Sequence, residues 1–182
     1  MVEKDKKINI AFNGFGRIGR NLVRNLINEP KYNIVAINAR TTVDVRAHLF
    51  KYDSIHGHFD GKISYELDNL IINGKTIPNF DRNTPAKLPW GELEVDYVID
   101  CTHKFCSRHE MEDHLKSGAS RVIISSLPRD SIDRIVIMGA NEESISLDDR
   151  LISAGSSTTN ALVLALKLIN EEEETKWICP GR

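Results

Sequence analysis

The sequence predicts an α/β domain with a doubly wound, mostly parallel sheet, and three observations support this prediction. Short apolar segments alternate with segments whose apolar residues recur at helical spacing, which is typical of alternating strands and helices. A glycine-rich turn joins the first apolar segment to the first helical one. The chain has 182 residues, enough for one well-buried domain. We therefore expect a single domain over residues 1–170, followed by an acidic tail over residues 171–182.

The first three predicted elements form a strand–helix–strand unit. Residues 8–12 are a short apolar run, which predicts a buried strand. Residues 17–28 place apolar side chains at helical spacing, and Pro30 ends the helix. Residues 34–38 form a second apolar run. We expect the two strands to be parallel and their connection to be right-handed.

The middle of the sequence is less regular than its start. The predicted elements there are a short helix (43–52), a polar loop (53–62), two strands (63–67 and 70–77) and a proline-containing loop (78–89). The pair Asn73-Gly74 is a strong hairpin signal.

Regular alternation then returns. The remaining predicted elements are strands at 97–101, 121–125, 135–138 and 151–153, a helix at 108–117, and a long helix that ends near residue 170. Gly118 ends the shorter helix. Ser156 or Ser157 can cap the long helix at its start.

Composition and charge argue against several classes of protein. The net charge of −2 lacks the basic footprint of a nucleic-acid-binding domain. The longest apolar runs, such as residues 161–166, are far shorter than the roughly 18 residues of a membrane helix. The charged N-terminus has no signal-peptide pattern. Cys101, Cys106 and Cys179 are odd in number and irregularly spaced, so we expect free thiols in a reducing compartment, by default the cytoplasm.

The glycine-rich turn predicts a dinucleotide site. Residues 14–19 read G-F-G-R-I-G and match G-x-G-x-x-G directly after a predicted strand and at the start of a predicted helix, the context of a Rossmann-type turn. Gly14 permits the tight turn, Gly16 lets the backbone approach a pyrophosphate, and Gly19 lets helix and strand pack closely. Arg17 adds a cation. The alternative is a tight turn without a ligand.

The residues after the second strand favour NADP over NAD. They read Asn38-Ala39-Arg40-Thr41-Thr42, so no carboxylate lies where one would bind the adenosine ribose of NAD. A guanidinium beside two hydroxyls suits a 2′-phosphate better than a bare diol. The alternative is that Arg40 is a solvated loop residue.

Four motifs resemble those of the glyceraldehyde-3-phosphate dehydrogenase family. They read FNGFGRIGR at 12–20, KYDSIHGHFDG at 51–61, GAN at 139–141 and SAGSSTTN at 153–160. They keep the order of the family, and the resemblance spans roughly residues 8–170. Such a set is far more specific than the glycine motif by itself.

The resemblance implies NAD-dependent oxidative phosphorylation of an aldehyde through a cysteine thioester. Residues 156–160 read S-S-T-T-N where the family has S-C-T-T-N, so Ser157 stands in the place of the nucleophilic cysteine. Ser156 and Thr158 match residues that bind the attacking phosphate.

The resemblance also assigns residues to the cofactor. Thr102 matches a residue beside the nicotinamide, His103 replaces the glycine that follows it, and Ala39 replaces the ribose-binding aspartate. The predicted cofactor-binding residues are Asn13, Gly14, Gly16, Arg17, Ile18, Gly19, Asn38, Arg40, Thr102 and Ser125.

Two departures from the family pattern predict nucleotide binding without catalysis. An alcohol is too weak an acid for a helix dipole, worth at most about 2 kcal/mol, to ionise, so Ser157 needs an adjacent base. Family subunits are nearly twice as long, and their second half carries the histidine base. We expect that catalytic domain to be absent, because residues 171–182 do not resemble the family. The prediction is a catalytically silent nucleotide-binding or scaffolding protein. The alternatives are an NAD(P)-dependent aldehyde oxidoreductase completed by a partner chain, and a remnant without a ligand.

Other clusters do not point to further chemistry. Cys101, His103, Cys106 and His109 lack the usual spacing of zinc ligands, so no metal site is predicted. The run at 155–159 lacks the second glycine of G-x-S-x-G, which favours helix capping over a serine hydrolase.

A protein partner or self-association is predicted from exposed apolar surface. Trp177 and Ile178 follow four glutamates in the tail and offer apolar contacts near an acidic flank. Loss of the second domain would expose further apolar surface. Docking of the tail on its own domain is the alternative.

Overall fold

The computed structural model describes residues 6–172 and confirms the predicted α/β class. The chain begins with β1 (Ile8–Asn13), α1 (Arg17–Leu26) and β2 (Tyr32–Asn38). β1 and β2 pair in parallel, as predicted for a strand–helix–strand unit. The glycine-rich turn lies between β1 and α1.

The middle of the chain contains more strand than the sequence predicts. Its elements are α2 (Val43–Lys51), β3 (Tyr52–Asp53), β4 (Gly57–His58), β5 (Ile63–Glu66), β6 (Asn69–Ile72) and β7 (Lys75–Phe80). β3 and β4 pair with each other inside the predicted polar loop. The predicted strand 70–77 is divided by the turn at Asn73 and Gly74, which both have positive φ, as a tight hairpin requires.

The last part of the described chain returns to alternation. Its elements are β8 (Tyr97–Asp100), α3 (Arg108–Lys116), β9 (Arg121–Ile124), β10 (Arg134–Ile135), β11 (Leu151–Ser153) and α4 (Ser157–Glu172). The predicted tail therefore begins inside α4, and residues 173–182, with Trp177 and Ile178, lie outside the described residues. None of the helices in residues 6–172 has the length and apolar character to cross a bilayer.

Nine strands of the described chain form one sheet in the order β10-β11-β9-β8-β1-β2-β7-β6-β5. Every pair from β10 to β7 is parallel, whereas β7, β6 and β5 form an antiparallel meander. β1 has β2 on one side and β8 on the other. This reversal of strand order leaves a crevice at the carboxyl ends of the central strands, where ligands bind in such sheets.

The alternation of side chains along β1 fills both faces of the sheet. Ile10 and Phe12 pack in a cluster with Val23 of α1. Ala11 points to the other face and packs in a cluster with Trp90. Because both faces are covered, β1 is continuously apolar from Ile10 to Phe12, as expected for a central parallel strand.

Two predicted strand ends differ from the structure for identifiable reasons. Pro78 does not end β7, because pairing of β7 with β2 begins only at Asn79 and needs no donor from the proline. The predicted strand 135–138 is shorter, because the Asn141 side chain accepts the hydrogen bond of the Ile137 N–H at 2.7 Å. A loop contact thus replaces a sheet contact.

We predict that Gly118→Ala destabilises the fold more than Gly74→Ala. Both glycines have positive φ, which costs a residue with a side chain about 1–2 kcal/mol. A Cβ at Gly118 would also overlap the backbone of Gly91, whereas a Cβ at Gly74 would meet nothing within 4 Å. Chemical denaturation should show a lower free energy of unfolding for Gly118→Ala by about 1–3 kcal/mol. Equal losses would contradict this account.

Candidate functional site

A crevice of about 400 Å³ opens at the carboxyl ends of the central strands. That volume lies in the range of small-molecule and cofactor sites. Six of the predicted cofactor-binding residues line it: Asn13, Gly14, Gly16, Asn38, Arg40 and Thr102. The sequence prediction and the geometry therefore select the same place in the fold.

The glycine turn has the shape that a pyrophosphate needs. Gly14 has a φ of 98° and donates its N–H to the carbonyl oxygen of Asn38 at 2.8 Å. A Cβ at Gly19 would overlap the carbonyl oxygen of Gly14, so only glycine lets α1 pack this closely on the turn. A Cβ at Gly16 would meet nothing within 4 Å, because this residue borders the open crevice. The tight turn at Gly14 and the close packing at Gly19 are present, and the approach of a pyrophosphate to Gly16 stays a prediction.

The start of α1 has N–H groups available for an anion. Gly16 is the N-cap residue and makes no side-chain capping bond, and the first turn holds no acidic residue. Uncapped N–H groups and the helix dipole favour a phosphate at such a position.

The crevice is strongly cationic. None of the described residues that line it is acidic. Five of them are basic: Arg20, Arg40, Arg46, Arg82 and Lys104. The whole chain has a net charge of −2, so this concentration of positive charge is local. A cleft lined by one sign of charge attracts ligands of the opposite sign.

Arg20 has an unused hydrogen-bond donor at this site. Its Nη1 donates to the carbonyl oxygen of Phe15 at 3.2 Å, but its buried Nε has no partner among the described residues. Burial lowers the pKa of Arg20, and the nearby Asp53 carboxylate offsets part of this effect. A buried donor without an acceptor is costly, and a ligand phosphate would supply one. The residues present therefore fit a dinucleotide.

Arg46 holds the loop after β2 in place through hydrogen bonds. Its guanidinium is buried and donates to the carbonyl oxygen of Ala39 and to Oδ1 of Asn79, the latter at 2.8 Å. Burial lowers its pKa, while Asp81 and Asp68 raise it. These bonds fix the backbone that presents Arg40 and Thr41 to the crevice.

Polar side chains at three strand ends form a connected cluster below the crevice. Asn13, Asn38 and Asp100 end β1, β2 and β8, and all three are buried. Asn38 Nδ2 donates to Asn13 Oδ1 at 2.7 Å, and Asn13 Nδ2 donates to Asp100 Oδ2 at 2.6 Å. Asp100 Oδ1 accepts from both the N–H and the hydroxyl of Thr102, at 2.8 and 2.6 Å. The cluster fixes the floor and one wall of the crevice.

The other predicted cofactor residues lie outside the lining of this crevice. Arg17 and Ile18 are exposed on the first turn of α1. The hydroxyl of Ser125 is buried and makes no hydrogen bond within the described chain. Their contacts with a cofactor stay predictions.

The start of α4 confirms capping by Ser156. Its hydroxyl accepts from the Thr159 N–H at 3.1 Å and lies 3.0 Å from the Thr158 hydroxyl. Ser157 is the first residue of α4 and is exposed. Within residues 6–172 no imidazole or carboxylate makes a hydrogen bond with its side chain. Binding of phosphate by Ser156 and Thr158 stays a prediction.

The two cysteines within the described part of the chain are buried. Cys101 and Cys106 are free and buried. Burial raises the pKa of the Cys101 thiol to about 12, so it is protonated at neutral pH and unreactive. No group of histidine, cysteine and acidic side chains in residues 6–172 is arranged to hold a metal ion.

His103 keeps the backbone of a glycine. Its φ is 56°, the left-handed region that costs a residue with a side chain about 1–2 kcal/mol. The resemblance places a glycine at this position, and the conformation explains that choice. The turn after β8 therefore has a backbone conformation that would suit a glycine.

Sequence reasoning missed several residues around the crevice. Arg20, Arg46, Arg82 and Lys104 line it, yet they come from four separate segments and share no local motif. Asp100 could have been found, because a polar residue at the end of a buried strand in a parallel sheet lies at the ligand edge.

Comparison with known proteins finds similarity over most of the chain. The family model described as glyceraldehyde 3-phosphate dehydrogenase, NAD binding domain, matches residues 8–108. Glyceraldehyde-3-phosphate dehydrogenase 1 of Bacillus subtilis (strain 168) is 40% identical over 166 residues, which cover 91% of this chain and 49% of that protein. The glyceraldehyde-3-phosphate dehydrogenases of Thermotoga maritima and Mycoplasma pneumoniae are 43% and 42% identical, over 90% and 89% of this chain. The chain spans about half the length of the curated relatives it matches.

Proposed function

The chain belongs to the glyceraldehyde-3-phosphate dehydrogenase family, and we propose that it binds a nicotinamide dinucleotide, with NADP preferred, without carrying out the family reaction by itself. The observation that carries the proposal is the cationic crevice above the glycine turn. The matched family model is that of the NAD-binding domain. The dinucleotide would supply the hydride-accepting ring, and this chain would bind and orient it. The free thiols of Cys101 and Cys106 support a reducing compartment such as the cytoplasm.

The preference for NADP is supported by the surroundings of Arg40. Arg40, Thr41 and Arg82 line the crevice and also an adjoining polar recess of about 300 Å³. Three guanidinium groups line that recess beside two carboxylates, those of Asp68 and Asp81. A 2′-phosphate would therefore meet net positive charge there, and Ala39 leaves no carboxylate directly after β2 to repel it.

We predict that the chain binds NADP more tightly than NAD and that Arg40→Ala removes the difference. A hydrogen bond to a charged group contributes about 1.5–3 kcal/mol, so NADP affinity should fall about tenfold or more. NAD affinity should change less than about twofold. Isothermal titration calorimetry with both dinucleotides measures each value.

Arg129→Ala is the matched control for that titration. Arg129 is also an exposed arginine, but it does not line the crevice. Its replacement should leave both affinities unchanged. NAD binding equal to or tighter than NADP binding in the unmodified chain would refute the preference.

Catalytic silence is supported by the chemistry at the start of α4. Ser157 is an alcohol, and the helix dipole is too weak to ionise it. No base contacts it within the described residues, and the Cys101 thiol is buried and protonated. Thioester formation thus lacks a nucleophile in this part of the chain.

We predict no reduction of NAD or NADP when the pure chain is mixed with glyceraldehyde 3-phosphate and phosphate. Absorbance of the reduced nicotinamide measures the rate. The cofactor is used at a saturating concentration, so that an absent rate reflects a lack of catalysis and not a failure to bind. Ser157→Ala should behave like the unmodified chain. Robust reduction that this substitution abolishes would refute the proposal and favour an active oxidoreductase.

A protein contact is supported by α4. Leu162 and Leu168 are 59% and 61% exposed, and the other apolar side chains exposed along this helix are Leu164, Leu166 and Ile169. Asn160 and Lys167 lie on another side of the helix and bond to backbone carbonyl oxygens of the same chain, so the exposed apolar side chains form one wide face. Such a face on a helix is ordinarily covered by other protein. We propose that α4 is covered by a second copy of the chain.

We predict that the chain self-associates and that Leu162→Lys with Leu168→Lys reduces the association. The lysines would weaken the association because burial of two leucine side chains would no longer contribute to it. Sedimentation velocity over a range of protein concentrations measures the association. Leu147→Lys is the matched control, since Leu147 is 89% exposed but lies outside α4. An unmodified chain that stays monomeric and does not bind a dye specific for exposed apolar surface would refute this proposal.

A further inference from the structure

A chain of buried hydrogen bonds leads from the core to the crevice. Trp90 and His114 are fully buried, and Asp100 is 2% exposed. Trp90 Nε1 donates to His114 Nδ1 at 2.9 Å, and His114 Nε2 lies 3.3 Å from Asp100 Oδ2. None of the three residues lines the crevice.

The Trp90 contact selects the tautomer of His114. The indole N–H can only donate, so Nδ1 must accept and carries no proton. The proton of the neutral ring is therefore on Nε2, which donates to Asp100 Oδ2. A ring protonated at both nitrogens would lose the Trp90 bond.

His114 supplies the fourth donor to the Asp100 carboxylate. Thr102 provides two donors to Oδ1, and Asn13 provides one to Oδ2. A carboxylate accepts about four hydrogen bonds, so the His114 contact completes the set. Asp100 is buried, and an incompletely bonded buried carboxylate is costly.

The Asp100 carboxylate connects this chain of bonds to both ends of the crevice. Asn13 and Thr102 line it directly. Asn13 continues to Asn38, whose side chain accepts the Arg82 N–H at 2.8 Å and donates to the Arg82 carbonyl oxygen at 3.0 Å. A change in the orientation of Asp100 would thus move the turn after β8 and the loop after β7 together.

Packing does not by itself require a histidine at this position. The His114 ring stacks on Trp90 with ring centroids 6.2 Å apart and meets the edge of Phe105 at 6.4 Å. Another flat polar side chain could make such contacts. In this chain the donor directed at Asp100 is the Nε2–H of this tautomer. A positioning role depends on that donor, whereas a packing role depends only on the ring contacts.

We infer that His114, acting through Asp100, is a positioning residue that holds Asn13 and Thr102 in place for the dinucleotide. The inference rests on the proposed function of the crevice. His114 does not line the crevice; besides Asp100 it meets two lining residues, with Nε2 3.5 Å from Asn13 Nδ2 and its ring centroid 6.4 Å from that of Phe105. Its contribution is the orientation of a carboxylate that two lining residues share.

Two substitutions separate the bond to Asp100 from the bond to Trp90. The amide nitrogen of His114→Gln can reach the position of Nε2 and donate to Asp100. The amide of His114→Asn reaches only the position of Nδ1, so it can accept from Trp90 but leaves Asp100 without its fourth donor. We expect NADP affinity to fall about tenfold in His114→Asn and to change less than about twofold in His114→Gln, by calorimetry.

Urea unfolding and the backbone amide resonance of Thr102 together distinguish a positioning role of His114 from a merely structural one. Urea unfolding should show a loss of stability in both variants, and a larger one in His114→Asn, because there a buried carboxylate loses a donor. The backbone amide resonance of Thr102 in the ligand-free chain should move in His114→Asn and stay near its original position in His114→Gln. An NADP affinity that falls equally in both variants, or a Thr102 resonance that moves equally in both, would overturn the inference.

Two further readouts keep the inference independent of the variants and of the proposed function. Nitrogen-15 spectra of the unmodified chain should show His114 protonated at Nε2 and bare at Nδ1; the opposite tautomer or a charged ring would overturn the inference even if His114→Asn does not fold. If the unmodified chain binds neither NADP nor NAD, the proposed function fails, while the Thr102 resonances of the ligand-free variants still test the positioning.

Discussion

The close approach of α1 to the turn before it is the constraint on which the ligand site depends. Gly19 has no side chain to separate the helix from the carbonyl oxygen of Gly14. The start of α1 is therefore held beside the carboxyl ends of β1 and β8, and its N-cap residue, Gly16, lines the crevice. The buried cluster of Asn13, Asn38 and Asp100 then ties three strand ends to this turn. This approach places the glycine turn in the same crevice as the cationic side chains.

The sequence predicts the parts of the site that are local in the chain. The glycine turn and the end of β2 carry their own patterns, and the Ser156 hydroxyl caps the start of α4. The roles of Arg82 and His114 depend on which strands are neighbours, and that order is a tertiary property. β10 is shorter than predicted for the same kind of reason, since a side chain six residues beyond it competes for a backbone donor.

Binding and chemistry have separate requirements in this fold. The crevice needs glycines, a helix start and positive charge, and residues 12–20 with the strand ends supply most of these. The family reaction needs an ionisable nucleophile at the start of α4, where this chain has Ser157. On the proposed function, the serine keeps the helix start as a capped structure and offers no group that the helix dipole could ionise.

The two edges of the sheet affect how this protein can assemble. β10 has two residues and β5 has four, and the last three residues of β5 are exposed and include Glu66. Short edges with charge offer few free backbone groups to an incoming strand, which protects a sheet against edge-to-edge polymerisation. The self-association proposed for α4 would use side chains on a helix, which can form a closed and reversible contact instead of an open-ended fibre.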